Sequence, residues 1–236
     1  ALAGQPNVGK STVFNLLTGG TQYVSNWPWK TCEQKTAQIN LPDSSVHLID
    51  LPGVYSLSAA SEEERIARDS IVRCQPDAVI AIVDAVALER DLYLVAELLQ
   101  LSPPVVVGLN RIDMAAQQGI NIEPHVLEAA MGVPVIPMVA SKGQGVQDLV
   151  AAALQLIKNP NQWHPHKPEI RADHQQVLRQ LETLLDPHTV DPYTPAWTAV
   201  KLLEGDEEIS ALVQERLGAR WQAVHGILLR HDDAFL

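Results

Sequence analysis

The stretch GQPNVGKS, residues Gly4–Ser11, decides the fold. It fits the pattern G-x-x-x-x-G-K-S and lies between a short apolar segment and the helical pattern TVFNLL, which is the context that this motif requires. There, backbone N–H groups and the helix N-terminus cradle a phosphate, and the glycines let the backbone approach it closely. We expect Lys10 to reach the β- and γ-phosphates and the Ser11 hydroxyl to ligate Mg²⁺. The alternative interpretation is a glycine turn that caps a helix.

A second polar element, DLPGVY, begins at Asp50, the last residue of the apolar run SSVHLID. That run and TAQINL are predicted to pair as a hairpin across the turn PDSS. An aspartate at the carboxyl end of such a strand is placed to hold Mg²⁺ through a water, and Gly53 follows where a γ-phosphate is sensed. The alternative for Asp50 is plain turn chemistry. Val54 stands where Ras-like hydrolases have the glutamine that orients the attacking water, and valine cannot do so.

A third element, NRID at residues 110–113, predicts which base is bound. The Asp113 carboxylate can accept hydrogen bonds from the ring N1–H and the exocyclic amine of guanine, whereas adenine leaves it unmatched. Arg111 replaces the usual lysine and can still lay its stem over the base. The later segment VASKGQG places Ala140, Ser141 and Lys142 where a backbone N–H can bond the guanine O6.

These ordered elements cover about 140 residues and predict a GTP-binding domain of the Ras-like kind. An ATPase or a nucleotide kinase would share the phosphate loop but leaves NRID unexplained. Three buried runs, at 78–84, 105–110 and 133–139, each follow a helical segment, which predicts an α/β fold with a mostly parallel, six-stranded sheet. The predicted helices of this domain cover 11–18, 61–74, 87–101, 123–131 and 146–157.

The domain organisation follows from the point in the chain where the alternation of strands and helices stops. Residues 1–157 are predicted to form the GTP-binding domain, and 158–168, with three prolines and no periodicity, a linker. Residues 169–236 carry only helical patterns and are predicted to form a small helical domain. Thr194 followed by Pro195, and Asp206, are expected to begin two of its helices.

Composition limits the partners and the compartment. The net charge is −11, from 28 acidic and 17 basic residues, which argues against nucleic acid as a partner. Two cysteines without metal-ligand spacing indicate a reducing environment. No apolar run reaches the ~18 to 20 residues that span a bilayer, and no signal peptide is visible. Because the first phosphate-loop glycine is residue 4, we expect the chain to be cut from a longer one.

Together with the phosphate loop, the segments SNWPWKTCEQK, DLPGVYSL and AVKLLEGD resemble the N-terminal cytosolic part of the ferrous iron transport protein B family, FeoB. The resemblance covers nearly the whole chain. Its family patterns are N-P-N-x-G-K, N-W-P-G-x-T-V-E and D-L-P-G-x-Y-S-L, before a small helical domain. The first two patterns are matched by Asn7, Asn26, Trp27, Pro28, Thr31 and Glu33. The second pattern is the family's first switch and the third pattern is its second switch. Two departures, Trp29 for glycine and Cys32 for valine, lie in the first switch.

The resemblance implies a slow, potassium-stimulated GTPase. An asparagine at the Asn7 position is similar to a K⁺ ligand in such enzymes, and the backbone near Thr31 would then position the water. The family also implies regulation of Fe(II) uptake through a transmembrane domain of the same polypeptide. The fragment itself would be soluble, the cytoplasmic domain of an inner membrane protein, and could form a homo-oligomer. Two alternatives are a soluble potassium-stimulated GTPase of ribosome or tRNA maturation and a guanine-nucleotide sensor that does not hydrolyse.

The predicted site combines the motifs and the resemblance. The nucleotide-binding residues are Gly4, Asn7, Val8, Gly9, Lys10, Ser11, Thr12, Thr31, Asp50, Gly53, Asn110, Arg111, Asp113, Ala140, Ser141 and Lys142. Lys10, Thr31 and Asn7 are the candidate catalytic residues. The candidate Mg²⁺ ligands are Ser11, Thr31 and Asp50, and the candidate K⁺ ligand is Asn7.

Overall fold

The computed structural model describes residues 1–19, 23–25, 34–41, 44–58, 60–167, 172–186 and 190–233. The strands are β1 (Leu2–Gly4), β2 (Tyr23–Ser25), β3 (Gln34–Leu41), β4 (Ser44–Asp50), β5 (Val79–Asp84), β6 (Val105–Asn110) and β7 (Val135–Pro137). The helices are α1 (Lys10–Thr18), α2 (Glu62–Cys74), α3 (Leu88–Leu98), α4 (Ile112–Gln117), α5 (Pro124–Met131), α6 (Val146–Lys158), α7 (Ala172–Leu184), α8 (Pro195–Leu203), α9 (Glu207–Leu217) and α10 (Trp221–Asp233).

The strands form one sheet in the order β2-β3-β4-β1-β5-β6-β7. Strands β3 and β4 pair antiparallel, as the predicted hairpin requires, while β4, β1, β5, β6 and β7 run parallel to one another. The predicted fold class is therefore confirmed. The sheet has seven strands rather than six because the three-residue β2 adds an antiparallel edge to β3. A strand that short carries too few residues to show an alternating pattern.

The parallel strands bring three sequence motifs to one edge of the sheet. Strands β1, β4, β5 and β6 end at Gly4, Asp50, Asp84 and Asn110. Asp84 pairs in register with Asn110, and Leu2 pairs with Asp50. Because the carboxyl ends of parallel strands share an edge, the phosphate loop, DLPGVY and NRID all leave the sheet there.

Apolar strands and one side of the helices form the core beneath this edge. Strands β5 and β6 are buried along their whole length, which is why they lack alternation in sequence. The predicted helices lie within three residues of those observed, but α4 was missed. Its six residues are too few for a helical period, and it follows Arg111, whose left-handed backbone (φ 60°) ends β6 sharply.

The chain divides into two compact units, residues 1–99 with 103–167 and residues 168–236 with 100–102. Most of the predicted linker 158–168 belongs to the first unit. Trp163 packs against the core of that unit, and the His166 backbone N–H donates to the Met131 carbonyl (2.8 Å). The chain passes so close to α5 there that a Cβ on Gly132 would lie 2.0 Å from the His164 carbonyl oxygen.

The second unit is helical. The Thr194 side chain accepts from the Trp197 N–H at the start of α8, and Asp206 accepts from the Ile209 N–H at the start of α9, so both predicted helix starts are observed. Trp197 is buried and stacks on Tyr193 with ring centroids 4.6 Å apart. Among the residues that the structure describes, no helix has both the length and the apolar character needed to cross a membrane.

Candidate nucleotide-binding site

The phosphate loop connects β1 to α1 through backbone positions that only small residues tolerate. A Cβ on Gly4 would lie 2.7 Å from the Ile82 carbonyl oxygen, and one on Gly9 would lie 2.3 Å from Asn110 Nδ2. Gly9 (φ 98°) and Asn7 (φ 68°) both adopt the left-handed conformation. The glycines therefore let the loop pack closely against the ends of β5 and β6 and present its N–H groups to an anion.

Lys10 and Asp50 form an ion pair at the base of the loop. Each side chain is only 9% exposed, and Lys10 Nζ donates to Asp50 Oδ1. The pairing neutralises two charges that would be costly to bury alone. A bound phosphate and a divalent cation would satisfy the two groups separately. The Ser11 hydroxyl and the Asp50 carboxylate are the hard oxygen donors that Mg²⁺ prefers, so these residues fit that ion.

Asn110 holds two loops together. Its side-chain Nδ2 donates to the Val8 carbonyl (2.8 Å), and its Oδ1 accepts from the Ala140 N–H (2.9 Å). The side chain is buried, with 3% of the residue exposed. Asn110, predicted to bind nucleotide, thus fixes the phosphate loop relative to the segment Ala140–Lys142.

Arg111 reaches the phosphate loop as well. We expected its stem to lie over the base, and in the structure its guanidinium donates to Asp84 Oδ2 (2.5 Å) and to the Asn7 carbonyl (2.7 Å). Asp84 is 6% exposed and is absent from the predicted site. A signal for it was available, because Asp84 ends a buried strand as Asp50 does.

Asp113 and Lys142 pair across the expected base position. Asp113 Oδ2 accepts from Lys142 Nζ (2.7 Å), and its Oδ1 accepts from the Met114 N–H (3.0 Å). The hydrogen bond from Lys142 lowers the pKa of the Asp113 carboxyl, which therefore stays ionised at neutral pH. A guanine that uses this carboxylate must share it with Lys142 or displace that side chain.

The second switch begins directly after Asp50. The Val54 N–H donates to the Gly4 carbonyl (3.3 Å), and the side chain of Val54 is buried. A Cβ on Gly53 would come within 3.4 Å of Pro6. Tyr55 is exposed, with the Arg90 guanidinium 6.0 Å from its ring centroid. Val54 therefore packs beneath the phosphate loop, and its side chain has no group that could orient a water.

Some of the remaining predicted residues are described by the structure and others are not. Ser11, Thr12, Ser141 and Lys142 are exposed on the first turn of α1 and on the loop before α6. Thr31 lies outside the described residues, as do the first-switch residues Asn26, Trp27, Pro28, Trp29, Cys32 and Glu33.

Comparisons with known proteins agree along the whole chain. The family model for ferrous iron transport protein B matches residues 1–153, and the model for the FeoB cytosolic helical domain matches 172–229. The Fe(2+) transporter FeoB of Legionella pneumophila (strain Paris) is 36% identical over 99% of this chain and 34% of its own length. The chain thus spans about a third of the length of such curated relatives.

Two solved structures are similar to both units. The cytosolic domain of L. pneumophila FeoB is 37% identical, with a TM-score of 0.79 over 97% of this chain and 96% of that one. A GDP-bound mutant of NFeoB from S. thermophilus is 31% identical, with a TM-score of 0.88 over 99% of this chain and 88% of that one.

Proposed function

The chain belongs to the ferrous iron transport protein B family, and from that premise we propose that it binds GTP, hydrolyses it slowly and thereby regulates Fe(II) uptake. Its partner in this role is a transmembrane domain of the same polypeptide, so the chain works on the cytoplasmic side of the inner membrane. The two matched family models support this proposal over a free-standing GTPase of ribosome or tRNA maturation.

One observation carries the nucleotide-binding part of the proposal: Asn110 bonds both the Val8 carbonyl and the Ala140 N–H. This bridge holds the phosphate loop and the segment Ala140–Lys142 together at one edge of the sheet. A guanine nucleotide that lies across this edge has its phosphates on the loop N–H groups and its base against Asp113. The similar NFeoB mutant from S. thermophilus is bound to GDP, which supports a guanine nucleotide as the ligand.

For hydrolysis, the residues of this chain bind and orient the triphosphate. Lys10 leaves Asp50 and donates to the β- and γ-phosphates, where negative charge develops. Ser11, Asp50 and Thr31 are the groups that would hold Mg²⁺, which supplies charge neutralisation at the phosphoryl oxygens when bound. The backbone near Thr31 positions the attacking water, because the buried side chain of Val54 offers neither donor nor acceptor.

Asn7 is the proposed contact for a monovalent cation. Its backbone carbonyl is engaged by Arg111, but its side chain is exposed, and its amide oxygen is a neutral donor of the kind that suits K⁺. When bound there, K⁺ supplies the positive charge that an arginine finger supplies in other GTP hydrolases.

The test is single-turnover GTP hydrolysis in KCl and in NaCl at equal ionic strength, for the unmodified protein, Asn7→Ala and Val54→Ala. Loss of one transition-state stabiliser typically costs ~10² to 10³ in rate, so Asn7→Ala should remove most of the potassium effect. GDP affinity should change little, because Lys10 and the loop N–H groups remain. Val54→Ala should stay within a few-fold of the unmodified rate.

Each outcome of this experiment tests a separate part of the proposed function. Equal rates of the unmodified protein in the two salts would overturn the potassium claim and leave GTP hydrolysis standing. No hydrolysis in either salt would overturn the enzyme assignment and favour the sensor alternative.

A further inference from the structure

We propose that Arg111 and Asp84 are positioning residues that hold Asn7 in the conformation needed to bind the monovalent cation. Arg111 lies in NRID and pairs with Asp84, and its separate hydrogen bond to the Asn7 carbonyl links NRID to the phosphate loop. The inference rests on the proposed potassium role of Asn7 and adds two residues to it. Neither residue is assigned a contact with K⁺ or with the phosphates.

The geometry gives Asn7 one strong external restraint. Its backbone is left-handed (φ 68°), a conformation that asparagine adopts more readily than most residues with a Cβ but that the loop must still hold in place. The Arg111 guanidinium donates to the Asn7 carbonyl at 2.7 Å, a charge-assisted hydrogen bond. Because that bond engages the carbonyl, it leaves the side-chain amide of Asn7 as the group available to a ligand.

Asp84 fixes the arginine that makes this bond. Its Oδ2 accepts from Arg111 (2.5 Å), while its Oδ1 accepts from the Val86 N–H (2.9 Å), so both carboxylate oxygens are engaged. The Asp84 N–H in turn donates to Asp91 Oδ2 (2.7 Å), and Asp91 is 1% exposed. A buried and fully bonded carboxylate holds the guanidinium more tightly than an exposed partner would.

Arginine suits this position better than lysine does. The planar guanidinium presents several N–H groups in a fixed geometry, so it can bond Asp84 and the Asn7 carbonyl at once through Nη1 and Nη2. A lysine ammonium would have to satisfy both acceptors from a single nitrogen. The neighbouring Asn110 holds the next carbonyl, that of Val8, so NRID restrains two successive residues of the phosphate loop.

We therefore expect the loss of Arg111 to affect the affinity for K⁺ and the affinity for GDP to different extents. The loop N–H groups and Lys10 hold the diphosphate without using the Asn7 carbonyl, so loss of Arg111 should affect cation binding more than nucleotide binding. Small displacements of positioning groups have large effects in such sites. Methionine at position 111 keeps an apolar stem near the base while it removes both hydrogen bonds.

The experiment measures single-turnover GTP hydrolysis while KCl replaces NaCl at constant total salt. Arg111→Met should raise the K⁺ concentration for half-maximal stimulation by about tenfold and weaken GDP binding by a clearly smaller factor. Arg111→Lys and Asp84→Asn should have intermediate effects, since the amide oxygen of the Asp84→Asn variant can still accept from the Val86 N–H. The double variant Arg111→Met, Asp84→Asn should be no worse than Arg111→Met alone, because both changes break the same unit.

Arg73→Met is the matched control. Arg73 also pairs with an aspartate, Asp69 (3.4 Å), but on an exposed turn of α2. Its half-maximal K⁺ concentration should equal that of the unmodified protein. An unchanged value in Arg111→Met, or an equal loss of K⁺ and GDP affinity, would overturn the proposal. If Arg111→Met does not fold, Arg111→Lys and Asp84→Asn decide by the same criterion.

A second measurement separates this proposal from the potassium claim itself. Hydrogen exchange of the phosphate-loop amides is followed in nucleotide-free protein without K⁺. Faster exchange at residues 7–9 in Arg111→Met, and not in Arg73→Met, would support the positioning role even if the unmodified protein shows no potassium stimulation. Unchanged exchange in both variants would overturn the positioning role whatever the salt dependence.

Discussion

The two compact units both bury charged side chains, but they do so in opposite ways. In the first unit, two buried polar groups of the candidate site bond partners far away in sequence: Lys10 bonds Asp50, 40 residues on, and Asn110 bonds the Val8 carbonyl, 102 residues back. In the second unit, Lys201 bonds Glu204 and Asp206 bonds the Ile209 N–H, each three residues away. These pairs of the first unit join distant segments, whereas those of the second unit act within a helix or at its start.

This difference predicts which buried polar residues affect function and which affect only stability. A group that joins distant loops sets the geometry of the site where they meet, so its loss should change ligand binding or rate. A group that caps its own helix should change only the stability of that helix. Variants of matched residues in the two units test this contrast directly.

The largest effect is expected for the buried lysines. Lys10→Met should lower single-turnover GTP hydrolysis by ~10² to 10³, because it removes a charge aimed at the transferring phosphate. Lys201→Met removes a lysine that is 1% exposed but should leave the rate unchanged. Its unfolding free energy should change by about 1 kcal/mol or less, since Glu204 keeps access to water. A comparable rate loss in both variants would break the contrast.

A smaller effect is expected at the base site. Asp113→Asn should weaken GDP binding by about 10- to 100-fold, because guanine loses a charged acceptor for two N–H groups. Asp148→Asn, at an exposed position in the first turn of α6, is the control and should bind normally. Displacement titrations with GDP and ADP measure both affinities. Equal competition by ADP and GDP in the unmodified protein would contradict the guanine assignment.

The smallest effect is expected at a helix cap of the second unit. Asp206→Ala should lower the stability of the helical unit by about 1 kcal/mol, because the Ile209 N–H loses its acceptor. Asp206→Asn keeps an oxygen at this position and should lose much less. Thermal unfolding followed by circular dichroism measures both, with GTP hydrolysis as the second readout. A slower hydrolysis rate in Asp206→Ala at a temperature where it is folded would contradict the division of roles.

Most of the fold could be predicted because its signals are local. Apolar runs marked β5 and β6, the period-two pattern marked the β3–β4 hairpin, and Thr194 and Asp206 marked two helix starts. The elements that were missed, β2 and α4, are three and six residues long. Such short elements depend on pairing and packing with the rest of the molecule, so their own residues carry little pattern.

The candidate site also combines features that are visible in the sequence with features that only the fold creates. The sequence by itself determined which segments carry nucleotide-binding chemistry, because a phosphate loop, a strand-end aspartate and NRID are each contiguous runs whose chemistry is visible locally. Only the tertiary structure decided what each side chain bonds: Arg111 with Asp84 and the Asn7 carbonyl, and Lys142 with Asp113. These partners lie 27, 104 and 29 residues apart, so the path of the chain brings them together and no local pattern could reveal them.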